Sequence, residues 1–369
     1  MATLLAPIHI NKKNSRVKNI GFLLGSLAGA GAEKTIITLA KHLAKLGHQV
    51  HLFVLSAQAD YQPPENVTLH LIDGDSQQSA LECLLQKADA VGGLDLFVTS
   101  RPDYYDERLA KRVFCSVHIT PTAWLKKRPW FSRWKTWLQI RKLKNKYQHK
   151  NLIALSEGIK QDLVQNLGCS ADRVTVIHNP FEVDQICQKA AEPGLLPQKP
   201  YIIYVAALIK RKRHADLLHA FAKITSKDID LVLVGKGEEE ASLKTLAKTL
   251  GIDSRVIFWG WDGNPYRLIK NARISVLVSE AEGLPRVLIE SIILGVPVVS
   301  TDCPSGPNEV LVGDDARYLV AIGDIEALSS SLEDLLSQGY AQTSLSVEIF
   351  DAKNIAQQYM KLLRREVYD

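Results

Sequence analysis

The chain of 369 residues is long enough to bury two ordinary cores, and with 46% hydrophobic and 23% charged residues and no low-complexity tract it has the composition of a globular protein. It has no apolar run of about 18 residues, so no membrane span is expected, and its five scattered cysteines without C-x-x-C spacing fit free thiols in a reducing cytoplasm rather than structural zinc. The net charge of +5 conceals an asymmetry: 13 Lys and Arg and no acid lie between Glu107 and Glu157, leaving 32 basic against 40 acidic residues elsewhere.

The amino terminus, MATLLAPIHINKKNSRVKNI, does not read as a secretory signal, because its apolar part is short and its basic residues follow it. NIGFLLG (19–25) predicts a buried strand, then a Gly-rich turn, SLAGAGAEK, and a helix over AEKTIITLAKHLAKLG that Gly47 terminates. QVHLFVL, VTLHLI, LDLFVTS, VFCSVH and NLIALS are further strand candidates. Strands of near-continuous apolar character alternating with helices imply a parallel sheet covered on both faces.

The pattern restarts after RVTVIHNPFEVDQ, with YIIYVAAL, IDLVLVG, RVIFWG, ISVLVS and VPVVS as strands. The expected fold class is therefore α/β, with two doubly wound Rossmann-like domains, residues 1–180 and 181–351, facing across a cleft and hinged near His178–Phe181. The final helical stretch, DAKNIAQQYMKLLRREVYD (351–369), either completes the second domain or crosses back onto the first.

Residues 280–310, EAEGLPRVLIESIILGVPVVSTDCPSGPNEV, carry the densest chemical signal. A strand ends near Ser279, a loop follows, and a helix is expected from Pro285 to about Gly295. Exposed N–H groups at that helix start, beside the flexible Gly283, suit a phosphate. Glu290 has the chemistry to accept hydrogen bonds from vicinal hydroxyls such as those of a ribose, and Glu282 to reach another polar group. The competing reading is a carboxylate balancing the helix dipole plus a solvated glutamate.

Three other features are ambiguous alone. Gly29 and Gly31 after the first strand make no clean G-x-G-x-x-G and also fit a plain tight turn. His118 ends the strand VFCSVH and faces either a cleft or a buried, satisfied environment. Asp73-Gly-Asp75 follows a first-domain strand and reads as a turn, so no divalent metal is expected.

The stretch EGLPRVLIESIILGVPVVSTDCPSGPNEVL resembles the E-x7-E region of the retaining family-4 glycosyltransferases, which have the GT-B fold. Less specific similarity covers nearly the whole chain: GAEKTIITLAKHLAKLGHQVHLFVL, VIHNPF and VAALIKRKRHADLLHAF. The resemblance implies that Glu290 binds the ribose of a nucleotide sugar and Glu282 the donor sugar. The amides of Gly283 and Leu284 would meet the diphosphate, and Gly29 and Gly31 would lie beside donor phosphates and acceptor. It further implies that His118 contacts the donor sugar and Lys212 the diphosphate. The family's diphosphate arginine is here Ala207, for which Lys210, Arg211 or Arg213 are the candidate substitutes. FWGWDGN (258–264) resembles the loop on which the base stacks, although Trp259 or Trp261 equally suits a core.

The basic segment WLKKRPWFSRWKTWLQIRKLKNKYQHK (124–150) places Trp130, Phe131, Trp134, Trp137 and Leu138 along one side of a helix. Such an aromatic, cationic helix suits an anionic membrane surface; packing into the first domain and nucleic-acid binding are the alternatives. The expectation is a cytoplasmic, peripheral-membrane, retaining glycosyltransferase with a nucleotide-sugar donor. Its acceptor would be a cell-surface glycan or lipid-linked oligosaccharide, as in lipopolysaccharide, capsule or O-antigen assembly, and it would need no cofactor. A sugar-nucleotide epimerase of the same fold and a non-catalytic nucleotide-sugar-binding protein are the other readings.

Overall fold

The computed structural model describes residues 17–28, 31–59, 62–123, 125, 133–338 and 346–364. Its first half is a seven-stranded sheet of β1 (Asn19–Leu24), β2 (Gln49–Val54), β3 (Val67–Leu71), β4 (Leu96–Thr99), β5 (Val113–Val117), β6 (Leu152–Ala154) and β7 (Val174–Val176). They lie in the order β3-β2-β1-β4-β5-β6-β7, and every pairing is parallel. Helices α1 (Gly31–Lys45), α2 (Gln77–Ala90), α3 (Arg133–Tyr147) and α4 (Glu157–Gln161) connect them. Strands β4, β5 and β6 are buried along their whole lengths, the signature of a sheet covered on both faces.

After α5 (Val183–Ala190) the second half repeats the design with six parallel strands: β8 (Tyr201–Val205), β9 (Asp230–Val234), β10 (Val256–Gly260), β11 (Ile274–Leu277), β12 (Val298–Thr301) and β13 (Leu319–Val320). Their order is β10-β9-β8-β11-β12-β13. The helices here are α6 (His214–Lys223), α7 (Glu240–Thr249), α8 (Tyr266–Lys270), α9 (Arg286–Ile293), α10 (Pro307–Val310) and α11 (Ile325–Gln338), with α12 (Ala352–Leu362) last. Strands β7 and β13, the short edge strands of their sheets, escape the sequence pattern.

The chain passes between the two halves twice at one place. Phe181 N–H donates to the Phe350 carbonyl (2.8 Å), and Ala352 N–H to the Phe181 carbonyl (2.9 Å). From there α12 returns to the first domain, where Ile355, Ala356, Tyr359 and Leu362 are buried among Ile20, Phe22, Leu39 and Leu43. Burying Ile355 and Leu362 contributes about 1.5–3 kcal/mol each, ample reason for the helix to dock there.

Helix α3 packs on the core by a face other than its tryptophan stripe. Ile140, Leu143 and Tyr147 pack against the core, whereas Trp134 and Trp137 are 61% and 58% exposed and Leu138 is exposed beside them. Trp130 and Phe131 lie outside the described residues. Among the described residues no helix is long and apolar enough to cross a membrane.

Candidate active site

In each sheet the strand order reverses beside its first strand, between β1 and β4 and between β8 and β11. Loops leaving carboxyl ends of strands at such points form crevices. Here they face each other across one cavity of about 480 Å³. Its walls include Gly31, Lys34 and Thr35 from the start of α1, His118 after β5, Ala207, Arg211 and Lys212 after β8, and Glu282 to Arg286 after β11.

The two second-domain loops are cross-linked by hydrogen bonds. The Tyr204 hydroxyl, fully buried, lies 3.0 Å from the Lys212 carbonyl and 2.8 Å from that of Val278. Arg211 donates to the Ala281 carbonyl (2.9 Å), and Glu280 N–H donates back to the Arg211 carbonyl (3.1 Å). This frame sets the Lys212 ammonium 2.5 Å from the Glu282 carboxylate, with both side chains largely buried. A buried pair held this way keeps each charge in place, and removing either partner strands the other at a cost of about 3–5 kcal/mol.

Glu290, on the inner face of α9, is only 7% exposed. Its Oε1 accepts from the Tyr266 hydroxyl at 3.2 Å and lies 3.5 Å from Arg286 Nη2 and 3.7 Å from Lys34 Nζ. Lys34 also donates a short hydrogen bond to the Tyr266 hydroxyl. Burial lowers the Lys34 pKa, an effect that Glu290 partly opposes. Arg286 reaches the first domain, donating to Thr35 Oγ1 (3.3 Å) and the Pro180 carbonyl (3.4 Å) while its guanidinium lies 4.2 Å from the Phe181 ring centre. The two domains therefore meet around Glu290.

Gly283 shows why that position lacks a side chain. A Cβ there would sit 2.0 Å from the His118 carbonyl oxygen, so the turn after β11 presses its backbone directly onto the end of β5. His118 Nε2 is buried with no hydrogen-bond partner among the described residues, and burial pushes the ring's pKa down to about 4, so it is neutral at pH 7. A neutral imidazole with a free nitrogen can donate to or accept from a hydroxyl.

The structure thus brings Gly31, His118, Lys212, Glu282, Gly283, Leu284 and Glu290 together. Gly29 lies outside the described residues. Of the three cations considered in place of an arginine at Ala207, only Arg211 lines the cavity. Lys210 is not part of its wall, and Arg213 is turned away into ion pairs with Asp216 (2.6 Å) and Glu280 (2.9 Å). Trp259 is half-buried with its Nε1 donating to Asp262 (3.1 Å), Trp261 is 70% exposed, and neither lines the cavity. Asp73 and Asp75 lie in the loop before α2, and no group of three or more His, Cys, Asp or Glu with metal-binding geometry occurs among the described residues.

Lys34, Thr35, Asn179, Tyr266 and Arg286 were not singled out from the sequence. Arg286 was legible, since an arginine four residues before Glu290 on a helix meets it. The others reach the site only through tertiary contacts and leave no local signal.

A family model described as glycosyltransferase family 4 matches residues 29–185, and one described as glycosyl transferases group 1 matches residues 188–348. The N-acetylgalactosamine-N,N'-diacetylbacillosaminyl-diphospho-undecaprenol 4-alpha-N-acetylgalactosaminyltransferase of Campylobacter jejuni is 30% identical over 373 residues, covering 94% of this chain and all of that one. The lipopolysaccharide 1,6-galactosyltransferase of Salmonella typhimurium is 31% identical over 192 residues, 50% of this chain and 52% of its own length. Among solved structures, Anabaena HepE in complex with UDP and glucose superposes with a TM-score of 0.74 at 19% identity, covering 94% of this chain and 99% of its own. Two parallel-sheet domains, a site at their facing strand ends and similarity along the whole chain lead to one conclusion: the protein is a GT-B glycosyltransferase that joins a family-4 amino-terminal domain to a group-1 carboxyl-terminal domain.

Proposed function

We propose that the cleft binds a nucleoside-diphosphate sugar and transfers the sugar, with retention at the anomeric carbon, to a hydroxyl of a lipid-linked or lipopolysaccharide-type glycan. The observation that carries this reading is the convergence, in one cavity, of a buried hydroxyl-reading carboxylate with backbone amides and cations that suit a diphosphate. Glu290 accepts from the ribose hydroxyls, with Tyr266 and Arg286 fixing its orientation. The amides of Gly283 and Leu284, with Lys212 and Arg211, hold the diphosphate. Glu282 and neutral His118 take the hydroxyls of the donor sugar.

In the reaction the bond from the anomeric carbon to the diphosphate oxygen breaks and the acceptor oxygen bonds to the same face. The acceptor's proton passes to the departing diphosphate. Within the cavity the carboxylates, Glu282 and Glu290, are both held by cations and so are poor nucleophiles, which favours front-face attack over a covalent sugar–enzyme intermediate. Fixed positive charge and oriented amides then stabilise the leaving group without reorganising during the step. The test is a panel of nucleotide sugars scored by thermal stabilisation, then by transfer to mixed glycan acceptors. No stabilisation by any nucleotide sugar would overturn the donor assignment.

The exposed Trp134, Trp137 and Leu138, flanked by Lys135 and Arg141 stacked near the tryptophan rings, support docking on the inner face of the cytoplasmic membrane. The core already has Ile140, Leu143 and Tyr147 from α3, so the tryptophans are free for another surface. Trp134→Ala with Trp137→Ala is expected to abolish sedimentation with phosphatidylglycerol vesicles while leaving the melting temperature unchanged. Undiminished sedimentation rejects the membrane surface.

A further inference from the structure

The segment Ser305–Glu309 lies between the donor turn and the first domain and touches both. On the donor side, Ser305 Oγ lies 3.2 Å from the Gly283 carbonyl, and a Cβ on Gly306 would meet that same carbonyl at 2.3 Å and Pro285 Cδ at 2.7 Å. Gly306 has φ of 95°, a conformation that favours glycine, and Ser305 has φ of 61°, so the segment is bent sharply at this contact. On the far side, Ser305 Oγ lies 2.8 Å from Thr120 Oγ1 of the first domain. One carboxylate oxygen of Glu309 accepts from Glu157 N–H at 2.7 Å and the other from Gly158 N–H at 2.9 Å. Gly158 must be small here, since a Cβ would sit 2.5 Å from Ser305 Cβ.

The chain that receives this grip leads back to the site. Helix α4 runs from Glu157 directly into Asp162, which is buried and anchors Thr122: its Oδ2 accepts from Thr122 N–H at 3.1 Å, and its Oδ1 accepts a short bond from the Thr122 hydroxyl. Thr122 closes the loop that begins at His118. A continuous series of hydrogen bonds and chain connections thus joins the carbonyl of Gly283, through Ser305 and Glu309, to α4, Asp162 and the His118 loop.

We propose that Glu309 is a positioning residue for sugar transfer, a clasp that holds the two domains together and keeps His118 in register with the Gly283 turn. It does not line the cavity and touches no reacting atom. Its two charge-assisted bonds are made only while the domains are in contact, so their loss favours the open cleft without removing a donor ligand. The idea rests on the donor reading for its effect on catalysis, but the clasp itself is testable without any nucleotide.

The test uses the full chain, Glu309→Gln from one side of the contact and Gly158→Ala from the other. Glutamine has one acceptor oxygen where glutamate has two, and the alanine methyl wedges against Ser305. Small-angle X-ray scattering is recorded for wild type and both variants with and without UDP, alongside UDP affinity by calorimetry. Turnover is followed as UDP release from a donor that the wild type uses. Both variants are expected to have a larger radius of gyration than wild type, and a kcat roughly 10- to 100-fold lower with a smaller change in donor KM. Wild-type dimensions in both variants would overturn the clasp, as would wild-type kcat in both. If the wild type binds none of UDP, ADP, GDP, CDP and dTDP in calorimetry, the donor reading falls, and the scattering of the unliganded proteins still decides whether Glu309 holds the domains together.

Discussion

Gly283→Ala is the most direct probe of the contact between the donor turn and the first domain. The added Cβ would lie 2.0 Å from the His118 carbonyl oxygen and 2.8 Å from its carbon. Both are backbone atoms, so no side-chain rotation relieves the clash. Ordinary van der Waals separation requires roughly 1 Å or more of retreat. Moving the end of β5 would disturb Cys115–Leu152 pairing inside a fully buried strand, a core strain of about 1–3 kcal/mol. Opening the cleft instead trades cross-domain hydrogen bonds for solvent and leaves each sheet intact. The variant should therefore keep its melting temperature to within a few degrees, while a misplacement of about 1 Å between His118 and the phosphate turn lowers kcat roughly 100-fold. The assay is steady-state nucleoside-diphosphate release from the donor identified by the nucleotide-sugar panel, with thermal denaturation run on the same preparation. Wild-type kcat would refute the reasoning, because the turn would then tolerate a side chain that this contact forbids.

Glu290→Ala removes the acceptor proposed for both ribose hydroxyls; at about 1.5–3 kcal/mol for each bond to a charged group, nucleotide affinity measured by calorimetry should fall at least roughly 100-fold. If Lys212 acts as proposed on the departing diphosphate, Lys212→Met should lower kcat more than it weakens nucleotide binding; equal effects on kcat and on Kd would contradict that role. His118 and His214 both have pKa values pushed from the ordinary 6.5 to about 4 by burial. Above pH 6.5 both rings are neutral whether the chain is folded or not; between about 6.5 and 4 only the unfolded chain takes up protons, so stability falls as pH drops, by on the order of 3 kcal/mol per ring. Urea denaturation at pH 7 and pH 5 should show roughly 2 kcal/mol of this loss per ring, and His214→Phe, at a position whose ring centre lies 4.6 Å from that of Tyr204, should remove about half of it.

The fold was legible because the central strands carry apolar residues on both faces, a pattern that only a doubly covered parallel sheet satisfies. Glu282, Gly283, Leu284 and Glu290 were named through the resemblance, spacing alone leaving a helix-dipole carboxylate as an equal reading; their shared place in one cavity follows because strand, turn and helix set them by local geometry. Lys212 was legible through the resemblance, but the cation beside it was not, because Lys210, Arg211 and Arg213 adjoin it and a short 3-10 turn decides which side chains face inward. That turn points Arg211 and Lys212 to the cavity and leaves Arg213, with φ of 42°, to pair with Asp216 and Glu280. Helix α3 left open a membrane surface or packing into the first domain. Its tryptophans share a stripe that resembles a buried face, yet the residues that meet the core are the smaller stripe of Ile140, Leu143 and Tyr147. Period alone identifies a face and says nothing about which surface covers it.

Ala207 is less of a gap than the sequence alone makes it. Lys34, Arg211, Lys212 and Arg286 line the cavity, against the carboxylates Glu282 and Glu290, while His118 is neutral there at pH 7. The excess is two positive charges, and the proposed sugar-linked diphosphate would carry about two negative ones, so the proposed site would be matched in charge without another arginine. Each cation is also fixed by a protein partner: Lys212 by Glu282, Arg286 by Glu290 and Thr35, Arg211 by the Ala281 carbonyl, and Lys34 by Tyr266. Two of the four come from opposite domains yet meet at Glu290, so the full charge match exists only when the lobes are together. Under the proposed donor reading, placing part of the neutralising charge on each lobe would make donor stabilisation and cleft closure one event, and no single restored side chain on one lobe would reproduce that coupling.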